Sequence, residues 1–182
     1  FHPLTGQRWP DLEALFGPNG ASGGCWCMWW RLPRAEFDRQ KGEGNRQLLK
    51  ALADSGHAPG ILAYTGGRPV GWCSIGPREE FVTLERSRVL ARVDDEPVWS
   101  VVCFYVARGF RRQGIMAGLL DAAVAFARAR GATIVEGYPI AIVKPLSSSS
   151  VYTGLASTFA RAGFVEVARR SPTRPIMRYL LR

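Results

Sequence analysis

The sequence predicts an α/β fold built on a mixed, mostly antiparallel sheet with one βαβ unit at its centre. Three observations carry that expectation. The apolar run Val98–Val106 leads through a short loop into helical spacing over Gly114–Arg130, and Thr133–Tyr138 then reads as a second strand. Gly66-Gly67 separates two strand-like runs, Ile61–Thr65 and Pro69–Ile75, which is a hairpin signal. Two further short runs, Phe164–Ala168 and Ile176–Leu181, close the chain as strands.

The elements follow in order. Phe1–Thr5 suits a short first strand. Trp9–Gly17 suits a helix, with proline in its first turn, early acids and a terminal glycine. Gly20–Trp30 is glycine-rich, then rich in Cys and Trp. Residues 35–54 have the pattern of a polar helix interrupted near Gly42 and Gly44. After the hairpin comes a charged excursion, 77–97. Val98–Val106 is apolar enough to be buried on both faces. In 114–130, Leu119, Leu120, Ala123, Val124 and Ala127 share one side, and Gly131 ends the helix. Tyr152–Ala162 is expected to be helical, stopped by Gly163.

At 182 residues, 47% apolar and 21% charged, the chain suits one folded domain over 1–182 and excludes a disordered class. No apolar run approaches a membrane span, and no signal peptide is visible, so a cytoplasmic location is expected. Cys25, Cys27, Cys73 and Cys103 lack zinc-site spacing; reduced, buried thiols are expected and no metal. The net charge of +9 fits either nucleic acid or a large anionic cofactor. The basic residues form no polybasic block, so nucleic acid is not the expected partner. A homodimer is compatible with the sequence.

The loop between Val106 and the helix concentrates charge around one glycine: Arg108, Arg111, Arg112, then Gly114. A strand-to-helix loop presents unpaired N–H groups and the positive end of a helix dipole, where phosphates bind. The spacing matches neither the nucleotide P-loop nor the dinucleotide fingerprint. Arg111-Arg112-Gln113-Gly114-Ile115-Met116 instead resembles the pyrophosphate loop of the GNAT superfamily of acetyl-CoA-dependent N-acetyltransferases, whose pattern is Gln/Arg-x-x-Gly-x-Gly/Ala. The lead-in Val106–Phe110, the element order and the late Gly163-Phe164 agree with it. Met116 departs from the family's small residue.

The resemblance implies a single GNAT-like domain that transfers an acetyl group from acetyl-CoA to a small-molecule amine by direct attack. A non-catalytic acyl-CoA-binding domain is the alternative. It implies a cofactor lying between the fourth and fifth strands, held by Phe104, Tyr105, Val106, Arg111, Arg112, Gln113, Gly114, Ile115, Met116 and Ala117. Unpaired backbone groups near Phe104 and Val106 would polarise the thioester carbonyl. The tyrosine that many relatives place four residues before the Gly of Gly-Phe is Phe159 here. Tyr152, two helical turns earlier on the same face, is the candidate acid, with Ser149 and Ser150 as alternatives. Glu136, the sole acid of an apolar strand, is the candidate base, followed by Glu79 and Glu80; an outward-facing strand carboxylate is the other reading of Glu136. Trp26, Trp29 and Trp30 fall where the family builds its acceptor pocket, and either line it or pack in the core.

Overall fold

The computed structural model describes residues 1–142 and 151–181. Seven strands form one sheet in the order β1-β2-β3-β4-β5-β7-β6. They are β1 (His2–Pro3), β2 (Gly60–Thr65), β3 (Arg68–Pro77), β4 (Trp99–Val106), β5 (Ile134–Gly137), β6 (Val165–Arg169) and β7 (Pro175–Leu180). All neighbours run antiparallel except β4 and β5. The helices are α1 (Trp9–Phe16), α2 (Arg34–Arg39), α3 (Glu43–Asp54), α4 (Val82–Glu85), α5 (Ile115–Arg128) and α6 (Ala156–Arg161). The stretch read as one interrupted helix over 35–54 is two, because Gly42 takes φ +87°, which a continuing helix cannot contain.

The βαβ unit positions everything else. Helix α5 buries Leu119, Leu120, Ala123, Val124 and Ala127 in one apolar cluster with Ile61 and Ala63 of β2, Val70 and Cys73 of β3, and Val101 and Phe104 of β4. Gly71 of β3 lets α5 come close, since a Cβ there would stand 2.8 Å from Ile115. The opposite face of the sheet is covered by α1, α3 and the Cys/Trp segment, with Trp72 and Leu62 at the contact.

The parallel ladder is short. Only Trp99↔Val135, Ser100↔Glu136 and Val101↔Gly137 are paired. Beyond Val101, β4 carries on alone along this edge while β5 ends at Gly137. Pro139 follows almost at once and has no N–H to give a ladder. On the other edge the β3–β4 register shifts at Ser74/Ile75, so Val102 has no partner and β4 bends there. The two strands therefore part in a V, as the resemblance implied.

The helix expected over Tyr152–Ala162 is shorter, beginning at Ala156. Gly154, at φ +88°, breaks the segment, and residues 152–154 form a turn instead. Phe159 of α6 is fully buried between Phe104 and Phe164, with ring centroids 6.1 and 5.0 Å away. Its ring fills the space over Gly137 that a Cβ would occupy. That position is core, so it presents no group to the V. Phe159→Ala is expected to destabilise the fold by about 3–5 kcal/mol. A denaturant midpoint close to wild type would show that the V holds together without this ring.

Candidate active site

The cradle begins at Gly114, which sits in left-handed conformation (φ +79°, ψ −2°) and caps α5. The first intrahelical bond runs from Gly118 N–H to Gly114 carbonyl. The N–H groups of Ile115, Met116 and Ala117 thus precede the helical ladder and stay available. A Cβ on Gly114 would meet nothing within 4 Å, so the approach to these donors is open. Arg112 also takes positive φ, +63°, an unusual conformation for a non-glycine residue. Arg111 Nε donates to the Val106 carbonyl (3.0 Å), and Gln113 Nε2 to the Gly109 carbonyl (3.0 Å), so both brace the loop. Arg111 and Arg112 are exposed, with no carboxylate paired to either among the described residues. Ile115 and Met116 turn their side chains onto the core beneath α5, which accounts for a large residue where the family has a small one. This donor set suits a pyrophosphate.

Above the cradle, β4 divides its side chains. Phe104 and Val106 face α5; Cys103 and Tyr105 face the α1 side. Phe104 N–H points into the V, but it is not free as expected: it donates to the Tyr152 carbonyl at 2.6 Å. The turn 152–154 has entered the V and caps the donor expected to meet the thioester. Ile140 N–H donates to Gly154 carbonyl (2.9 Å) and Ala156 N–H to Ile140 carbonyl (3.0 Å), so this turn is tied to the chain leaving β5.

Tyr152 is not on the helix assigned to it, but its side chain does reach the site. Its ring lies 6.5 Å from that of Trp30. Burial, then the neighbouring Cys103, push its phenol up to about 12, so it keeps its proton at neutral pH. Cys25 is pushed up to about 11, by burial first and then by Cys27. Ser149 and Ser150 lie outside the described residues.

Glu136 is buried and engaged at both oxygens. Oε1 accepts from Arg78 Nη1 (2.9 Å) and Tyr138 Oη (2.7 Å); Oε2 accepts from Arg178 Nε (2.7 Å). Ser100 Oγ lies 2.8 Å from the same phenol. Both carboxylate oxygens are occupied and the group is turned away from solvent, so it offers no free oxygen to an acceptor amine. Arg178 reaches on to Asp94 (2.6 and 2.9 Å), and Arg78 to Glu85 (2.5 Å) and the Leu90 carbonyl (2.7 Å), so the network fastens the excursion 77–97 under β5 and β7. Neither Glu79 nor Glu80 stands alone. Glu79 accepts from Arg92 (2.9 Å), and Glu80 from Arg31 (2.5 Å) with His57 at 3.0 Å. Sequence reading missed Arg78 and Arg178, which lie 58 and 42 residues from Glu136; only the β5–β7 register and the β3 exit bring them together.

Of the three tryptophans, one has its ring beside that of Tyr152, and Trp29 borders the same cluster. Trp26 stacks on Trp9 at 5.9 Å and packs against Phe16, inside the α1 cluster. Trp29 contacts Phe37 edge-on and carries Arg34 over its ring at 4.6 Å. Trp30 alone packs beside Tyr152, on the face shared with Val102 and Tyr138. Positive φ at Trp26 (+45°) and Cys27 (+57°) turns the segment sharply enough to send neighbouring rings in different directions.

Residues 26–138 match the acetyltransferase (GNAT) family. No curated protein matches the chain. Among solved structures, a GNAT-family acetyltransferase from Listeria monocytogenes superposes with a TM-score of 0.57 at 11% identity, over 97% of this chain and 91% of that one. PaiA N-acetyltransferase from Thermoplasma acidophilum, solved in complex with coenzyme A, gives 0.53 at 12% over 99% and 97%. The Drosophila melanogaster polyamine N-acetyltransferase gives 0.55 at 12% over 99% and 97%. At these identities the likeness is one of fold.

Replacing Glu136 with Gln is expected to cost about 3–5 kcal/mol of stability, because Arg78 and Arg178 would face each other across a neutral group. The change should show in the denaturant midpoint. A variant of wild-type stability that has lost only turnover would restore Glu136 to the reaction.

Proposed function

The chain belongs to the GNAT acetyltransferase family, and on that premise we propose that it transfers an acetyl group from acetyl-CoA to the amine of a small molecule. The observation that carries this is the open cradle at Gly114, set at the mouth of a V between β4 and β5. Bound there, acetyl-CoA supplies the acetyl group as a thioester. The N–H groups of Ile115, Met116 and Ala117 hold the pyrophosphate, with Arg111 and Arg112 adding charge. The β4 edge from Phe104 to Val106 aligns the pantetheine.

The Phe104 N–H is the oxyanion donor in this reading. The Tyr152 carbonyl that it now meets gives way to the thioester carbonyl, one acceptor replacing another at the same N–H. Such a donor contributes about 10²–10³ in rate. The amine attacks directly, with proximity in place of a covalent intermediate. The proton lost from the ammonium leaves through water, since Glu79, Glu80 and Glu136 are all occupied by arginine. Tyr152 protonates the departing thiolate.

A second reading, an acyl-CoA-binding domain without turnover, is favoured by one observation: the closed Phe104–Tyr152 hydrogen bond. Release of free thiol from acetyl-CoA across an amine panel separates the two.

Gly114→Val forces a β-branched residue into left-handed conformation at the cradle and should abolish binding of CoA measured by calorimetry. Undiminished affinity in the folded variant would sink the cofactor assignment. Tyr152→Phe should lower kcat by roughly tenfold to a thousandfold while leaving CoA affinity alone. Wild-type turnover in single-turnover measurements would return Tyr152 to packing.

A further inference from the structure

The geometry points to an acceptor amine that carries a carboxylate, held by Arg174 and the indole N–H of Trp30 beside Tyr152; the inference rests on the N-acetyltransferase reading and names its substrate class.

Arg174 differs from most of the buried or half-buried arginines of the chain, Arg8 being the other without a carboxylate among the described residues. Arg31, Arg46, Arg78, Arg92 and Arg178, buried or half-buried like it, each pair with at least one carboxylate. Among the described residues Arg174 makes one side-chain hydrogen bond, from Nη1 to Thr153 Oγ1 at 3.3 Å. A guanidinium has five donors in a planar fork, and a single hydroxyl leaves most of them unused. Burial depresses its basicity, the mark of a cation partly stripped of water, and the adjacent Tyr152 offsets some of that.

Its place in the fold puts the spare donors at the reaction. Arg174 immediately precedes β7, two residues ahead of Ile176. Ile176 packs with Trp30, Tyr138 and Tyr152 on the face away from α5. Thr153, which Arg174 touches, belongs to the turn whose Tyr152 carbonyl caps Phe104.

A second, independent observation concerns Trp30, whose ring also neighbours Tyr152. Trp30 is 7% exposed, and its Nε1 has no hydrogen-bond partner among the described residues. A buried N–H without an acceptor is costly, and such groups in native proteins have an explanation. Two groups with spare donors, one charged, therefore neighbour the phenol assigned to the leaving group. The nearby carboxylates cannot answer them, because Glu80, Glu136 and Asp94 are held by Arg31, Arg78 and Arg178. Among the described residues, the site lacks an anionic acceptor of hydrogen bonds for these groups. A carboxylate matches a guanidinium fork and leaves an oxygen for an indole N–H. The same inventory disfavours polycationic acceptors, for which the site offers no free carboxylate.

The test uses matched sets: amino acids of increasing chain length, each with its carboxamide and its decarboxylated amine, plus spermidine. Thiol release is followed with acetyl-CoA saturating. The carboxylates are expected to be preferred at least tenfold in kcat/KM. Arg174→Gln should raise their KM at least tenfold and erase the preference, with kcat and CoA affinity little changed; Arg174→Lys should recover part of it. Amides or simple amines used equally well, or a preference surviving in Arg174→Gln, would overturn the proposal. If nothing in the panel is turned over, calorimetry of the amino acids on CoA-loaded protein decides. Binding by wild type that is lost in Arg174→Gln supports the carboxylate site and removes catalysis from the reading. No binding by wild type removes the site.

Discussion

The structure depends on a parallel ladder of three residue pairs. Among the described residues, Trp99–Val101 against Val135–Gly137 is the one strand pairing that joins the β1–β4 part of the sheet to β5, β7 and β6. A longer ladder would make a firmer sheet but close the V. The chain ends it from both sides: Pro139 removes a donor just beyond β5, and the irregularity opposite Val102 bends β4 away. The site is thus an interruption of pairing, and its size follows from where that interruption falls.

So short a junction needs reinforcement, and the protein supplies it differently on its two faces. On the α5 face the reinforcement is apolar: Phe159 covers Gly137, wedged between Phe104 and Phe164. On the other face it is ionic. Glu136 lies opposite Ser100 in the ladder and is gripped by Arg178, its register partner on β7, and by Arg78, just past the end of β3. Buried ion pairs add little over a good apolar contact, but they tolerate no missing partner. This one ties the excursion 77–97, β5 and β7 to a single carboxylate, which fixes their relative positions more narrowly than side-chain packing would.

Much of this was legible from the chain itself. Helical spacing found the buried side of α5, and Gly66-Gly67 found the hairpin, because both signals are local. The cradle could be read because one left-handed glycine and a helix start suffice to build it. Glu136 could not be read correctly. A lone acid in an apolar strand looks the same whether it faces substrate or two arginines, and those arginines arrive from 58 and 42 residues away. Tyr152 was placed on a helix by its spacing from Phe159, but Gly154 breaks that helix first. The tyrosine reaches the V through a turn, by a route that periodicity does not describe. Trp26, Trp29 and Trp30 are adjacent in sequence yet diverge, because left-handed residues turn the backbone between them.

Burial sets the terms for the proton that the reaction must move. A phenol near its ordinary value of about 10 is already a weaker acid than a thiol near 8.5, so donation from Tyr152 to a thiolate in water runs uphill. Burial at this site raises the phenol further, to about 12. Taken alone, that would make Tyr152 a poorer donor still. Sulfur nearby responds as well: burial raises Cys25 to about 11, and the Cys27 hydrogen bond and then burial raise Cys103, while the Cys103 hydrogen bond lowers Cys27. A coenzyme thiolate leaving beside Tyr152 would be desolvated in the same sense, which would raise its basicity too. In the proposed reaction, the burial that weakens Tyr152 as an acid would also strengthen the base it protonates, so the two effects oppose each other.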